Sequence, residues 1–207
     1  MKIYSFAYGS GTVELPLDEK NVIGELHGNA VAPLSDIRAA LWASLDAPID
    51  SAPLCERAKA GDTVALVVSD MTRFWMRQDL VIPHLVDYLT EHCGVHEEDI
   101  TIVIANGTHS GGDEQELRTL VTDAVYERLR VENHDCEAPD LVYLGTTPHG
   151  TPVSINRAAA EADLVICLGA VTHHVMAGFG GGRKSILPGI SGRETIFHNH
   201  AFSLDAA

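Results

Sequence analysis

Short apolar runs that end abruptly in polar residues recur along this chain, and they constrain its fold more than any other feature. Asp62-Thr-Val-Ala-Leu-Val-Val-Ser69, DITIVIANGTH over 99–109, DLVYLG over 140–145 and ADLVICLGA over 162–170 all have this form. A strand with one wet face alternates apolar and polar residues, whereas a run that is apolar at consecutive positions is covered on both faces. Between the runs lie segments with helical spacing, such as LVIPHLVDYLTEHC over 80–93 and VSINRAAAEA over 153–162. Strands alternating with helices predict an α/β fold, a mostly parallel sheet with helices on both faces. Ahead of it, KIYSFAY, a Gly-Ser-Gly turn, TVELPL and NVIGEL read as a small β-rich N-terminal layer over residues 1–30. Ser35 is placed to cap a helix over DIRAALWASLDA, with Ile37, Leu41, Trp42 and Leu45 on one face.

At 207 residues and 45% apolar content the chain can bury the core of one domain. Its 29 acidic against 14 basic residues give a formal charge of -15, a field that repels nucleic acid and anionic membranes. No apolar run approaches the roughly 20 residues that span a bilayer, and MKIYSFAYGSGTVELPL lacks the apolar region and cleavage site of a signal peptide. A cytoplasmic location is expected. Cys55, Cys93, Cys136 and Cys167 are scattered without a CxxC, which predicts reduced, buried thiols rather than a zinc ribbon or a disulfide framework.

In open α/β sheets ligands bind beyond the carboxyl ends of the strands. Asp70-Met-Thr-Arg73 follows the first apolar run, Asn106-Gly-Thr-His109 the second, and His173-His174 the last. The densest stretch runs from Thr172 to Ser185. Gly178, Gly180, Gly181 and Gly182 let backbone N–H groups turn toward an anion, and Arg183 with Lys184 adds charge, so a phosphate-bearing ligand is expected. It is not a Walker A loop, because Arg183 stands where GxxxxGK[ST] has its second glycine. An amine beside Arg183 has its charged form disfavoured, which makes Lys184 a candidate for covalent attachment. Ser191-Gly-Arg-Glu194 reads as a capping box opening a helix near 192, on which His198 and His200, two residues apart, point in different directions. His109 and His174 on opposite sides of one substrate carbon would form a two-base pair, since imidazoles ordinarily titrate at about pH 6.5. The planar fork of Arg73 suits a carboxylate, with Asp70 to orient it or a hydroxyl. No HExxH spacing supports a zinc site.

Taken together, Asp70-Met-Thr-Arg73, Ala105-Asn-Gly-Thr-His109, His174-Val-Met-Ala-Gly-Phe-Gly-Gly-Gly-Arg-Lys184, Pro188-Gly-Ile190 and Asn199-His200 resemble the lactate racemase family, whose catalytic proteins use a nickel-pincer nucleotide. The resemblance implies a 2-hydroxyacid racemase or epimerase that passes a hydride to and from its cofactor. Lys184 would carry pyridinium-3,5-bisthiocarboxylic acid mononucleotide through a thioamide, and His200 would be the protein ligand to nickel in a square-planar site. Gly180, Gly181, Gly182 and Arg183 would hold the cofactor phosphate, and Arg73 with Asp70 would meet the substrate. His109 and His174 would exchange the hydroxyl proton, and cofactor-maturation enzymes would be partners. Residues 1–207 are then expected to be the N-terminal cofactor-binding α/β domain, with the family's C-terminal domain absent and no activity without it. The competing reading is a non-racemase module in which Gly178 to Lys184 simply grips phosphate or a nucleotide, which needs only the loop and a positive charge, whereas the pincer mechanism needs Lys184 and His200 together.

Overall fold

The computed structural model describes residues 1–204, divided into two units, Met1–Ser35 and Asp36–Ala207. In the first, β1 (Lys2–Tyr8) and β2 (Gly11–Leu17) form an antiparallel hairpin. Its two-residue turn uses Gly9 at φ +57°, a conformation that glycine adopts without a steric penalty. The expected strand at NVIGEL does not form. Ile23 and Leu26 are fully exposed, so no apolar face drives that segment onto the hairpin; side chains hold it instead, with Lys2 and Tyr4 both donating to Glu25.

The second unit runs α1 (Ile37–Asp46), α2 (Leu54–Arg57), β3 (Val64–Ser69), α3 (Ile82–Glu91), β4 (Ile100–Ala105), α4 (Glu114–Val121), α5 (Asp123–Tyr126) and β5 (Arg130–Asn133). It continues through β6 (Val142–Thr146), β7 (Pro152–Ile155), α6 (Arg157–Glu161), β8 (Leu164–Cys167), β9 (His173–His174), β10 (Gly178–Phe179) and α7 (Arg193–Ala201). Four strands form an all-parallel sheet in the order β5-β4-β3-β8, so the α/β class read from the apolar runs is the observed one. The continuous run in β3 is explained by its two burial faces. Val64, Leu66 and Val68 pack with Ile82, Leu85 and Leu89 of α3 and Leu120 of α4, while Ala65 and Val67 pack with Ala159 of α6 and Ile190. Among the described residues no helix is long and apolar enough to cross a membrane.

Several local expectations are corrected. The run at 140–145 is not in the parallel sheet: it forms β6, paired antiparallel with β7, and leaves Tyr143 and Leu144 exposed. Of VSINRAAAEA only Arg157–Glu161 is helical. The β-branched start becomes β7, and Asn156 separates the two by accepting from the Ala159 amide. The fourth parallel strand is instead β5, whose sequence RVEN has one apolar residue, as an edge strand allows. Asp36, not Ser35, caps α1, its carboxylate accepting from the Ala39 amide at 2.9 Å. The capping box at 191–194 is not made, because the Ser191 hydroxyl donates to Ile186 O and Gly192 becomes the cap residue of α7. All four cysteines are free, but only Cys93 is buried; Cys136 and Cys167 are partly exposed and Cys55 is exposed.

Just beyond β5, His134 is buried and its Nε2 donates to Ser191 O at 2.9 Å, tying the sheet edge to the turn before α7. Burial holds this imidazole below its ordinary value. The unfolded chain therefore binds the proton more readily, and stability is full above about pH 6.5 and falls as the pH drops from there through the lowered folded-state value. Urea midpoints from neutral to mildly acid pH should show this loss, and His134→Gln should flatten it.

Candidate active site

Strands β3 and β4 end level, Ser69 beside Ala105, and β8 flanks β3 on its other edge. The chain leaves β3 in one direction, toward β4 and β5, and later returns to the opposite side at β8. Such a reversal opens a crevice beyond the carboxyl ends. A cavity lies there, and Arg73, His109, His174, Gly180, Gly181 and Lys184 line it, with Trp75, Met76 and Pro188 as apolar wall.

Each side chain is fixed by the strand end it follows. Gln78 grips the end of β3, accepting from the Ser69 amide at 3.1 Å and donating to Ser69 O at 2.7 Å. The next residue, Asp70, is 4% exposed and faces three donors. Its Oδ1 accepts from Thr72 Oγ1 at 2.6 Å and from Arg73 Nη1 at 3.2 Å, and its Oδ2 lies 2.5 Å from His109 Nδ1. Past β4, the buried Asn106 donates to Asn133 Oδ1 and His134 O, locking the strand end to β5. Gly107 then turns at φ +58° and its amide donates to Gly189 O, which carries His109 back over Asp70. Gly189 has no room for a side chain: an added Cβ would lie 2.1 Å from Ser185 O and 2.9 Å from Ala105 Cβ. Gly189→Ala is expected to destabilise the protein by about 1–3 kcal/mol, read as a lowered thermal midpoint, because backbone rather than a flexible side chain must give way.

On the other side of the crevice, β9 and β10 pair His174 with Gly178, and His174 Nδ1 accepts from the Met176 and Ala177 amides at 3.2 Å each. Gly180 N–H is already used on Thr172 O. Gly181 at φ +73° and Gly182 at φ +53° turn the chain into a short 3-10 segment bearing Arg183 and Lys184, and a Cβ on Gly181 would lie 2.7 Å from Ala170 O. Arg183 and Lys184 do not share one environment. Arg183 lines a second, more apolar groove with Asn199 and Phe202, while Lys184 lines both that groove and the crevice. The Lys184 amine is held below its ordinary value, first by burial and then by Arg73 across the cavity, so the cation opposing it is Arg73 rather than Arg183.

The structure therefore brings Arg73, His109, His174, Gly180, Gly181 and Lys184 together, and sets Asp70 behind Arg73 and His109 rather than in the cavity wall. His200 lines neither cavity; it sits half-buried on α7 with its Nδ1 donating to Ile196 O at 2.7 Å. His198 faces elsewhere, its Nδ1 hydrogen-bonded with the Thr151 hydroxyl at 3.2 Å. Gln78 was not singled out from the sequence, and Asn106 and Gly189 were quoted only as parts of motifs, without a role of their own. The available signal was position, since each lies just past a strand end or opposite one.

Fold and crevice define an open α/β protein with a glycine turn, two histidines and a partly buried lysine at its strand ends. The chain belongs to the lactate racemase N-terminal domain family, whose model matches residues 8–207. It is 32% identical over 198 residues to lactate racemase of Lactiplantibacillus plantarum, covering 94% of this chain and 46% of that protein. It is 30% identical over 196 residues to lactate racemase of Thermoanaerobacterium thermosaccharolyticum, covering 93% and 45% respectively. The solved structure of the lactate racemase apoprotein from the latter organism superposes with a TM-score of 0.83 at 28% identity, over 96% of this chain and 46% of that one. A crystal structure of a Thermotoga maritima protein shares the fold at a TM-score of 0.60 and 24% identity, over 81% of this chain and 41% of that one. The chain thus spans a little under half the length of the curated relatives it matches.

Proposed function

We propose that residues 1–207 are the N-terminal, cofactor-carrying part of a 2-hydroxyacid racemase or epimerase. The observation that carries this reading is the convergence of Arg73, His109, His174 and Lys184 on one cavity at the strand ends. In a chain of net charge -15, two cations facing one crevice make a local well for an anion. That charge also argues against a nucleic-acid or anionic-membrane partner, and the reading carries with it a cytoplasmic location and partnership with cofactor-maturation enzymes.

The residues present fit the family's cofactor. A lysine amine whose charged form is disfavoured by burial and by Arg73 is suited to acylation, and the Gly181–Gly182 turn suits a phosphate. His200 gives its Nδ1–H to Ile196 O, which leaves the lone pair on Nε2, the form of a metal-ligating imidazole held by a second hydrogen bond. Among the described residues no three His, Cys, Asp or Glu side chains cluster around a metal, so nickel beside His200 would draw its other donors from the nucleotide. Lys184 would hold pyridinium-3,5-bisthiocarboxylic acid mononucleotide, His200 would ligate its nickel, and the group, when bound, supplies a hydride acceptor and donor.

The chain's own residues would do the rest. Arg73, already oriented by Asp70 and Thr72, receives the substrate carboxylate. His109 and His174 handle the hydroxyl proton. Trp75, Met76 and Pro188 would supply the apolar side of the substrate pocket. The test is chiral chromatography of single-enantiomer 2-hydroxyacids incubated with the chain joined to a segment matching the rest of its relatives and produced with the maturation enzymes. Formation of the opposite enantiomer is expected. No interconversion, together with nucleotide binding at an unmodified Lys184, would favour the phosphate-gripping module.

A further inference from the structure

The two histidines of the crevice have fixed partners at Nδ1, and those partners are of opposite kind. His109 Nδ1 lies 2.5 Å from Oδ2 of Asp70, a carboxylate that is 4% exposed and whose other oxygen is taken by Thr72 and Arg73. An ionised carboxylate only accepts, so His109 must carry its proton on Nδ1 and present a lone pair at Nε2. His174 Nδ1 faces the amides of Met176 and Ala177, and a backbone N–H only donates. Its neutral ring must therefore accept at Nδ1 and carry its proton on Nε2.

We propose that Asp70 is a positioning residue that makes His109 the proton acceptor of the pair, while the 176–177 amides hold His174 in the opposite tautomer as a hydrogen-bond donor. This rests on the racemase reading for the role of the pair, but the tautomers follow from hydrogen bonding alone. The hydroxyl proton passes to His109 Nε2. His109 keeps the proton on Nδ1, and the resulting imidazolium is stabilised by the carboxylate of Asp70, as in carboxylate–histidine pairs generally. His174 donates Nε2–H to the substrate oxygen and loses no proton. Passing the acceptor role to His174 requires the Val175–Ala177 tip to release its Nδ1, so the hairpin of β9 and β10 has to change when the substrate oxygen moves across the crevice.

The test is a long-range proton–nitrogen correlation spectrum of this chain, labelled with nitrogen-15, at a pH where imidazoles are neutral. His109 is expected as the Nδ1–H form and His174 as the Nε2–H form. Asp70→Asn should leave the His174 signals in place and abolish the preference of His109. In the matured, full-length protein the same variant should lower kcat by about 10²–10⁴-fold with the covalent nucleotide retained, and raise KM as well, because Asp70 also orients Arg73. Finding both rings as Nε2–H in the unsubstituted chain would overturn the proposal, and that result does not depend on the variant folding. Loss of the racemase reading would show differently, as no adduct and no turnover with the two tautomers still opposed.

Discussion

Alanine at position 184 is expected to abolish covalent attachment of the nucleotide in the matured protein. The chain's other lysines are Lys2 and Lys20, in the N-terminal unit, and Lys59, which precedes β3 and so belongs to the amino end of the sheet. Lys184 alone among them lines the crevice, and its charged form is disfavoured by burial and by Arg73. Lys184→Arg sharpens the test, because it keeps a positive charge for phosphate but no amine that can be acylated. Both variants should lack the added mass, and the arginine variant should hold free nucleotide more tightly than the alanine one. An active Lys184→Ala protein would overturn the covalent reading.

The second large effect is expected at the histidines. His109→Ala and His174→Ala should each retain nickel and the covalent nucleotide, because neither ring is assigned to holding them, yet lose turnover by about 10²–10⁴-fold, the usual worth of a positioned acid or base. Steady-state rates measured on protein whose loading has been checked by mass would test this. The loss at His109 should come with no change in the thermal midpoint beyond that of an exposed substitution, since half its side-chain surface is open. A loss of cofactor in either variant would instead assign that ring to binding.

The parallel sheet was legible because the consecutive apolar residues of β3, β4 and β8 pack into cores on both of its faces. The same rule misread DLVYLG, where Val142, Tyr143 and Leu144 sit in a two-stranded antiparallel pair with Tyr143 and Leu144 facing solvent. Strand β5 was hidden because an edge strand needs little apolar character, and RVEN has only Val131. At the crevice, the residues of the His174–Lys184 stretch could be read in order because they are contiguous. The Asp70–His109 contact could not: it joins residues 39 apart and depends on β3 and β4 ending level and on the Gly107 turn. Lys184 drew attention for its neighbour Arg183, but the two side chains diverge from one short turn, and the cation that matters is Arg73, which is distant in sequence.

The most direct measurement is the intact mass and nickel content of the protein completed to the length of its relatives and produced with the enzymes that build the cofactor. The proposed function predicts one added nucleotide mapping to Lys184 and close to one nickel per chain, with the nickel alone lost in His200→Ala. An unmodified Lys184 and no nickel, under conditions that mature a known lactate racemase, would contradict it and leave a crevice that binds anions without the chemistry proposed for it.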